Sequence, residues 1–311
     1  MQNLSKSGLF HLLIVYVVWS STYLAIRVAV TEGSGFPPFS MGASRLIVAG
    51  LILLGIGWIR KNKISISIRE FLIILISGLF LWLGGNGLLI WSEQHVHSGL
   101  AALLVSTTPV WAALLDSILA KKKISPLLLG SIILGLGGVA VLVYPSIAKG
   151  NLSDLISGVI LVGASISWAI GSIFQKRNPL ELSDFVNSGY QLIIASGLFV
   201  ILSLLFNEPL PNPTQSAWLA WVYLIIFGSV FAFSSYMAAL RLLPINIMMT
   251  YAFVNPVLAV FLGWLILGET ITLWTVAGAT LVVLSVVGVF REHSGIGTKE
   301  EDDEKTDVLH C

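Results

Sequence analysis

EFLIILISGLFLWLGGNGLLIWSEQHVHSG, residues 70–99, is an apolar run interrupted by Gly85-Asn86-Gly87 and halted by Glu93, Gln94, His95 and His97. A helix needs about 20 apolar residues to cross a ~30 Å hydrocarbon core, and this run supplies them. Together with nine similar blocks it gives ten spans, at 9–30, 40–60, 70–91, 98–118, 125–144, 155–175, 185–206, 216–239, 245–267 and 272–290. Residues 11–30 resemble a secretory signal only superficially, since Arg27 and the missing small-residue cleavage site favour a retained first span.

Composition agrees. Of 311 residues, 56% are hydrophobic and 11% charged, and mean hydropathy is +0.91. A soluble domain does not carry that balance. The connections are short, and the longest polar stretch is the tail 291–311, whose KEEDDEK at 299–305 reads as a disordered, solvated charge run. Cys311 is the single cysteine, so no disulfide or thiolate metal site arises.

Charge placement gives sidedness. One set of loops holds Lys6, then Arg60, Lys61, Lys63 and Arg69, then Lys121-Lys122-Lys123, then Lys176 and Arg177, then Arg241 and Arg291. The alternate loops hold Lys149 and otherwise Glu32, Glu93, Glu208 and Glu269. Short cytoplasmic loops collect Lys and Arg, so both termini are expected in the cytoplasm.

The chain also repeats itself. Trp19 to Arg27 (WSSTYLAIR) is similar to Trp168 to Lys176 (WAIGSIFQK), and Thr107-Thr108-Pro109-Val110 to Val254-Asn255-Pro256-Val257. Two halves of five spans fit, and because five is odd the second half must be inverted. Inverted repeats belong to alternating-access carriers. The expected layout is an N-terminal segment 1–8, repeats at 9–145 and 154–290, and the tail.

Polar residues inside spans must face protein or water. Span 3 lines up Gly78, Trp82, Asn86, Leu89 and Glu93 on one face; span 6 lines up Ser165, Trp168, Ser172 and Gln175. Span 1 gives Tyr16, Trp19, Ser20, Tyr23 and Arg27, and span 8 gives Ser229, Phe233 and Tyr236. Thr108, Trp111, Tyr251 and Asn255 surround the prolines of spans 4 and 9. Spans 5 and 10 are aliphatic with scattered glycine and read as packing helices.

Each hydroxyl has an alternative reading as interhelical glue, and each end-of-span tryptophan as interfacial belt. Trp58, Trp91, Trp218, Trp221 and Trp264 stay with belt or packing. The cavity set is Trp19, Tyr23, Trp82, Asn86, Thr108, Trp111, Trp168, Ser172, Gln175, Tyr236, Tyr251 and Asn255.

Pro109 and Pro256 each free a backbone carbonyl and are expected to kink their spans, as gates or as plain structure. Arg27, Arg45 and Glu93 fall near the outer face, where long side chains snorkel, and suggest an ion-pair gate; an interfacial role remains open. Asp116 is expected to pair with Lys121–Lys123. No carboxylate lies mid-span, which weakens proton coupling but leaves Glu93 or His95 as routes for it. The cavity is therefore expected to be aromatic and hydrogen-bonding rather than charged. His95 and His97 read as solvated loop residues.

WSSTYLAIR at 19–27, GNGLLIWSEQHVHSGLAALLVSTTPVW at 85–111, GASISWAIGSIFQKR at 163–177 and YAFVNPVLAVFLGWLILGETIT at 251–272 together resemble EamA-type carriers of the drug/metabolite transporter superfamily. The resemblance covers both halves and omits only the tail. It implies an all-α membrane protein: ten transmembrane helices, as two inverted five-helix repeats around a central cavity, with cytoplasmic termini. Spans 1, 3, 4, 6, 8 and 9 would form the cavity, and 5 and 10 would lie outside it. Family members export amino acids, other small metabolites or toxic compounds, and no fixed motif carries the substrate over. Gly268-Glu269 matches the family's "GE" before the last span and reads as a cap on that helix.

The leading expectation is a secondary carrier or facilitator in the cytoplasmic membrane, moving small neutral, zwitterionic or aromatic solutes outward by alternating access. Proton-coupled multidrug efflux is the alternative. An intramembrane enzyme lacks support, since no H-E-x-x-H, G-x-S-x-G or facing aspartate pair occurs, and a channel lacks a filter loop or charge ring. No catalytic residue, metal or cofactor is expected. The expected partners are a small-molecule substrate and the lipid bilayer, without nucleic acid, for a monomeric chain.

Overall fold

Ser5 begins the first helix by accepting a hydrogen bond from the Gly8 amide at 3.2 Å, which satisfies one of the amides that every helix start leaves unpaired. The computed structural model describes residues 5–121, 125–148, 152–288 and 291. The expectations on residues 1–4, Lys122, Lys123, Lys149 and the acidic tail with Cys311 lie outside the described residues. Among the described residues every regular element is a helix.

Seven helices are long and apolar enough to cross a membrane: α1 (Lys6–Val30), α2 (Pro38–Ile59), α3 (Ile68–Ser92), α4 (Ser98–Leu119), α6 (Leu152–Arg177), α7 (Asp184–Leu205) and α8 (Gln215–Leu242). Between and after them run α5 (Pro126–Ala148), α9 (Tyr251–Leu267), preceded by the single turn Ile245–Met248, and α10, whose apolar stretch is Leu273–Gly288. Ser67 and Glu70 form a reciprocal capping box on α3, while Ser183 and Thr214 cap α7 and α8. Leu9, Phe10, Leu13 and Val17 leave one face of α1 exposed, and Leu204 and Leu205 do so on α7. Such continuous apolar surface suits lipid rather than water.

Glycines decide which helices touch. Added methyl groups would strike Phe199 from Gly42 at 2.4 Å, Ile193 from Gly50 at 2.7 Å and Val186 from Gly57 at 2.7 Å. As α2 numbers rise, α7 numbers fall, so the two run antiparallel. The pair α5 and α10 repeats the device: Gly135 meets Ser285, and Gly138 and Gly278 each face the other's carbonyl at 3.0 Å. α4 and α9 meet at Gly99 and Val260, α1 and α6 at Trp19 and Trp168, and α3 and α8 at Trp82 and Phe233.

Two kinds of departure from regular helix follow from chemistry. Pro109 cannot donate to the Val105 carbonyl, and α4 breaks at residues 106–107. The hydroxyls of Ser106, Thr107 and Thr108 fill in by donating to the carbonyls of Leu103, Leu104 and Val105 at 2.6–2.8 Å. Pro256, by contrast, is accommodated inside α9. The second departure was not expected: Leu79–Gly87 of α3 and Leu224–Phe233 of α8 are wound as π-helix. That wider winding strands carbonyls. Ser167 of α6 donates to Phe80 O at 2.8 Å, and Trp19 of α1 donates through its indole to Gly228 O at 3.3 Å.

Candidate functional site

The π-helical stretch of α3 passes so close to α6 that a methyl on Gly85 would lie 2.7 Å from the Trp168 ring. This brings Trp82 and Asn86 of α3 against Trp168, while Trp19 of α1 packs 5.4 Å from Trp168 and 5.6 Å from Tyr251 of α9, both edge-to-face. The rings bound a small cavity of about 50 Å³, closed by Thr22, Tyr23, Arg45, Leu89, Val105 and Ala164. Edge-to-face ring contacts of this kind hold a wall rigid.

Three polar atoms on this wall are buried and without a hydrogen-bond partner: Arg45 Nη1, Trp82 Nε1 and Asn86 Oδ1. Two donate and one accepts. Burying such groups unpaired is costly, and all three converge on this one cavity. Arg45 is 2% exposed. Its Nε donates to Ser229 Oγ at 2.8 Å, its guanidinium lies 5.8 Å from the Trp82 ring centre, and Gly228 leaves room for Nη2 at 3.1 Å. Arg45, expected at the outer gate, therefore lines the cavity as well, and the wall is not free of charge as the sequence suggested. Arg45 sits seven residues into α2, about 10 Å along the axis, and its side chain turns inward because α8 offers a hydroxyl and a gap there.

Of the residues expected in the cavity, Trp19, Tyr23, Trp82, Asn86, Trp168 and Tyr251 line it. Tyr236 and Ser172 stand behind the wall: Trp168 Nε1 donates to Tyr236 OH at 3.1 Å, and Ser172 Oγ lies 2.6 Å from the same oxygen. They hold Trp168 in place. Thr108, Trp111, Gln175 and Asn255 are elsewhere. Thr108 is bound to its own helix and Trp111 Nε1 donates to Thr107 Oγ1 at 3.2 Å. Gln175 Oε1 accepts from Gln191 at 2.8 Å in a separate cluster with Ser77. Asn255 lies 3.2 Å from Ser20 Oγ and ties α9 to α1. A three-to-four-residue spacing gives a shared face but not which neighbour fills it, so these residues became glue. Thr22, Val105 and Ala164 were missed because small residues carry no distinguishing signal.

The expected gate is also rearranged. Arg27 Nη1 donates to the backbone carbonyl of Glu93, not to its carboxylate, and Glu93 is 0% exposed. At the other end of the bundle Lys176 Nζ donates to the Leu240 and Leu243 carbonyls, both at 2.6 Å. So a cation at the end of α1 caps α3, and one at the end of α6 caps α8. Asp116 pairs with Arg177 at 2.8 Å rather than with the expected Lys121, which lies on its own helix's exposed end.

Two carboxylates latch the Glu32 end. Glu208 accepts from the Phe39 and Ser40 amides at 2.8 and 2.7 Å at the start of α2. Glu269 accepts from Ser98 N at 2.8 Å and Gly99 N at 3.2 Å at the start of α4. The cap on the last helix expected of Glu269 is thereby corrected, since it reaches across to α4. Burial would raise the Glu269 carboxyl, but hydrogen bonds from His97, Ser98 and Gly99 outweigh it and hold the carboxyl below its ordinary value. His97 Nδ1 lies 3.8 Å from Glu269, so this histidine is not purely solvated.

A bundle of apolar helices around a buried, partly polar cavity is the architecture of an integral membrane transporter. The chain belongs to the EamA-like transporter family, whose model matches residues 6–144 and again 156–291. It is 34% identical over 283 residues to the uncharacterized inner membrane transporter YedA of Escherichia coli (strain K12), covering 89% of each chain. It is 25% identical to the uncharacterized transporter YoaV of Bacillus subtilis (strain 168), covering 88% and 92%, and 24% identical to protein PecM of Dickeya dadantii (strain 3937), covering 92% and 95%. A protein of known crystal structure, 19% identical, shares the fold with a TM-score of 0.65 over 91% of this chain and 96% of its own.

Proposed function

We propose that the chain is an alternating-access carrier of the cytoplasmic membrane that exports, or passively equilibrates, small metabolites bearing a carboxylate and a flat apolar group. The unpartnered Arg45 Nη1 within an aromatic cavity carries this reading. A guanidinium fork matches a carboxylate in shape and charge, the tryptophan rings stack on an apolar body, and Asn86 Oδ1 accepts from an ammonium or hydroxyl. Amino acids fit that description. Lipophilic cations do not, because Arg45 repels them, and this disfavours multidrug efflux.

The proposed topology is ten spans in two inverted halves with both termini cytoplasmic. Its support is the pairing of each helix with the one five places on, antiparallel for α2–α7 and α5–α10. The matched π-helical stretches and the Arg27 and Lys176 caps at opposite ends point the same way. Rocking of one half on the other around the cavity would then alternate access.

Quenching of tryptophan fluorescence tests the site in purified protein. L-phenylalanine and 3-phenylpropionate should bind saturably, and L-phenylalaninamide at least roughly tenfold more weakly, the equivalent of about 1.4 kcal/mol. Equal binding of the amide would remove Arg45 as the anchor.

A further inference from the structure

Glu93 immediately follows α3, one turn beyond Leu89 of the cavity wall, and it is buried without compensation. It is 0% exposed, and neither carboxylate oxygen has a hydrogen-bond partner. The groups around it come from every neighbouring element: Tyr23 and Arg27 of α1, Arg45 of α2, and Glu269 of the α9–α10 connection. His95, in the same turn, stacks on Trp91 at 5.2 Å, and His97 turns to Glu269. Arg27 is committed to the Glu93 backbone carbonyl, and no cation lies within ion-pair distance of the carboxylate among the described residues. An ionised carboxylate in such a place is strongly disfavoured. Burial pushes the carboxyl well above the usual range; Arg27 and Arg45 pull it down and Glu269 adds to the rise. The matching turn of α8 carries Leu240, Arg241, Leu242 and Leu243 and no acid, so repeat packing does not require one here.

We propose that Glu93 is the proton-binding site of the transport cycle, coupled to the substrate through Arg45. The coupling half of this statement rests on the carboxylate site proposed above. Two anions can offset the charge of Arg45: a substrate carboxylate in the cavity, or ionised Glu93, one turn beyond the cavity-lining Leu89. When substrate occupies Arg45, Glu93 holds its proton. When the cavity empties and the neighbouring end opens to water, Glu93 releases that proton and its charge offsets the guanidinium. Substrate and proton therefore bind together and cross together, so export down the outward substrate gradient carries a proton with it. The proton comes from and returns to bulk water, so the step balances.

Two measurements decide it. Infrared spectra of the full chain in lipid, titrated from alkaline to mildly acidic pH, should show a protonated-carboxyl band, only partly populated in substrate-free protein at neutral pH, that Glu93→Gln removes and Glu93→Asp shifts. A spectrum in which neither change alters the band overturns the proposal, whatever the substrate. The second arm adds L-phenylalanine to weakly buffered protein with a pH indicator. Wild type should take up protons as it binds, and Glu93→Gln should bind without uptake and show flat pH dependence of counterflow. Binding by wild type without proton uptake overturns the coupling. If L-phenylalanine and the other carboxylates do not bind at all, the carboxylate reading fails while the infrared result still decides whether Glu93 carries a proton. Should Glu93→Gln not fold, Glu93→Asp decides through the band shift.

Discussion

Arg45→Lys keeps the charge and discards the fork. It should weaken binding of a carboxylate probe roughly tenfold, and Arg45→Gln roughly a hundredfold, in line with about 1.5–3 kcal/mol for hydrogen bonds to charged groups. Fluorescence titration reads both. Trp168→Phe removes the indole that donates to Tyr236, so the ring loses its fixed angle; counterflow should fall more than stability does, measured as half-saturation against melting temperature. Trp19 and Trp168 were legible because they fall mid-span at equivalent positions of a repeated stretch. Arg45 was legible only as a charge inside an apolar run. Its direction is set by Ser229 and Gly228, far along the chain, and no local pattern in α2 announces them.

Helix contacts are tightest where glycine removes a side chain. Gly138→Val drives a branched side chain into the Gly278 carbonyl and Val282 and should cost about 1–3 kcal/mol through overpacking. Gly55→Ala on α2 meets nothing within 4 Å and should stay within about 1 kcal/mol of wild type. Thermal unfolding in detergent separates the two; equal losses would refute the glycine contact as the reason. Apolar blocks made the helices readable, and the aliphatic glycine-rich character of α5 and α10 announced their packing. The π-helical stretches were invisible in sequence. Gly85 and Gly87 read only as an interruption of the run, yet the wider turn is stabilised by Ser167 of another helix, a tertiary effect that periodicity does not encode.

At the scale of the molecule, Glu208 and Glu269 close one end by holding helix starts that belong to the opposite half. Because hydrogen bonding lowers the Glu269 carboxyl, its contribution is present above the ordinary value near 4.5 and lost as pH falls through the lowered folded value. Melting of Glu269→Gln should therefore be reduced by about 2 kcal/mol at neutral pH, with the difference from wild type shrinking in acid. A constant difference down to low pH would place the latch elsewhere. The central claim is that the Arg45 cavity carries small carboxylates across the membrane. Proteoliposome counterflow, with labelled amino acids and aromatic carboxylates beside their amides, sugars and lipophilic cations, tests it most directly. Saturable flux is expected for carboxylates alone, and it should be lost in Arg45→Gln protein that still folds. Flux confined to cations or sugars, or carboxylate flux undiminished in Arg45→Gln, would contradict it.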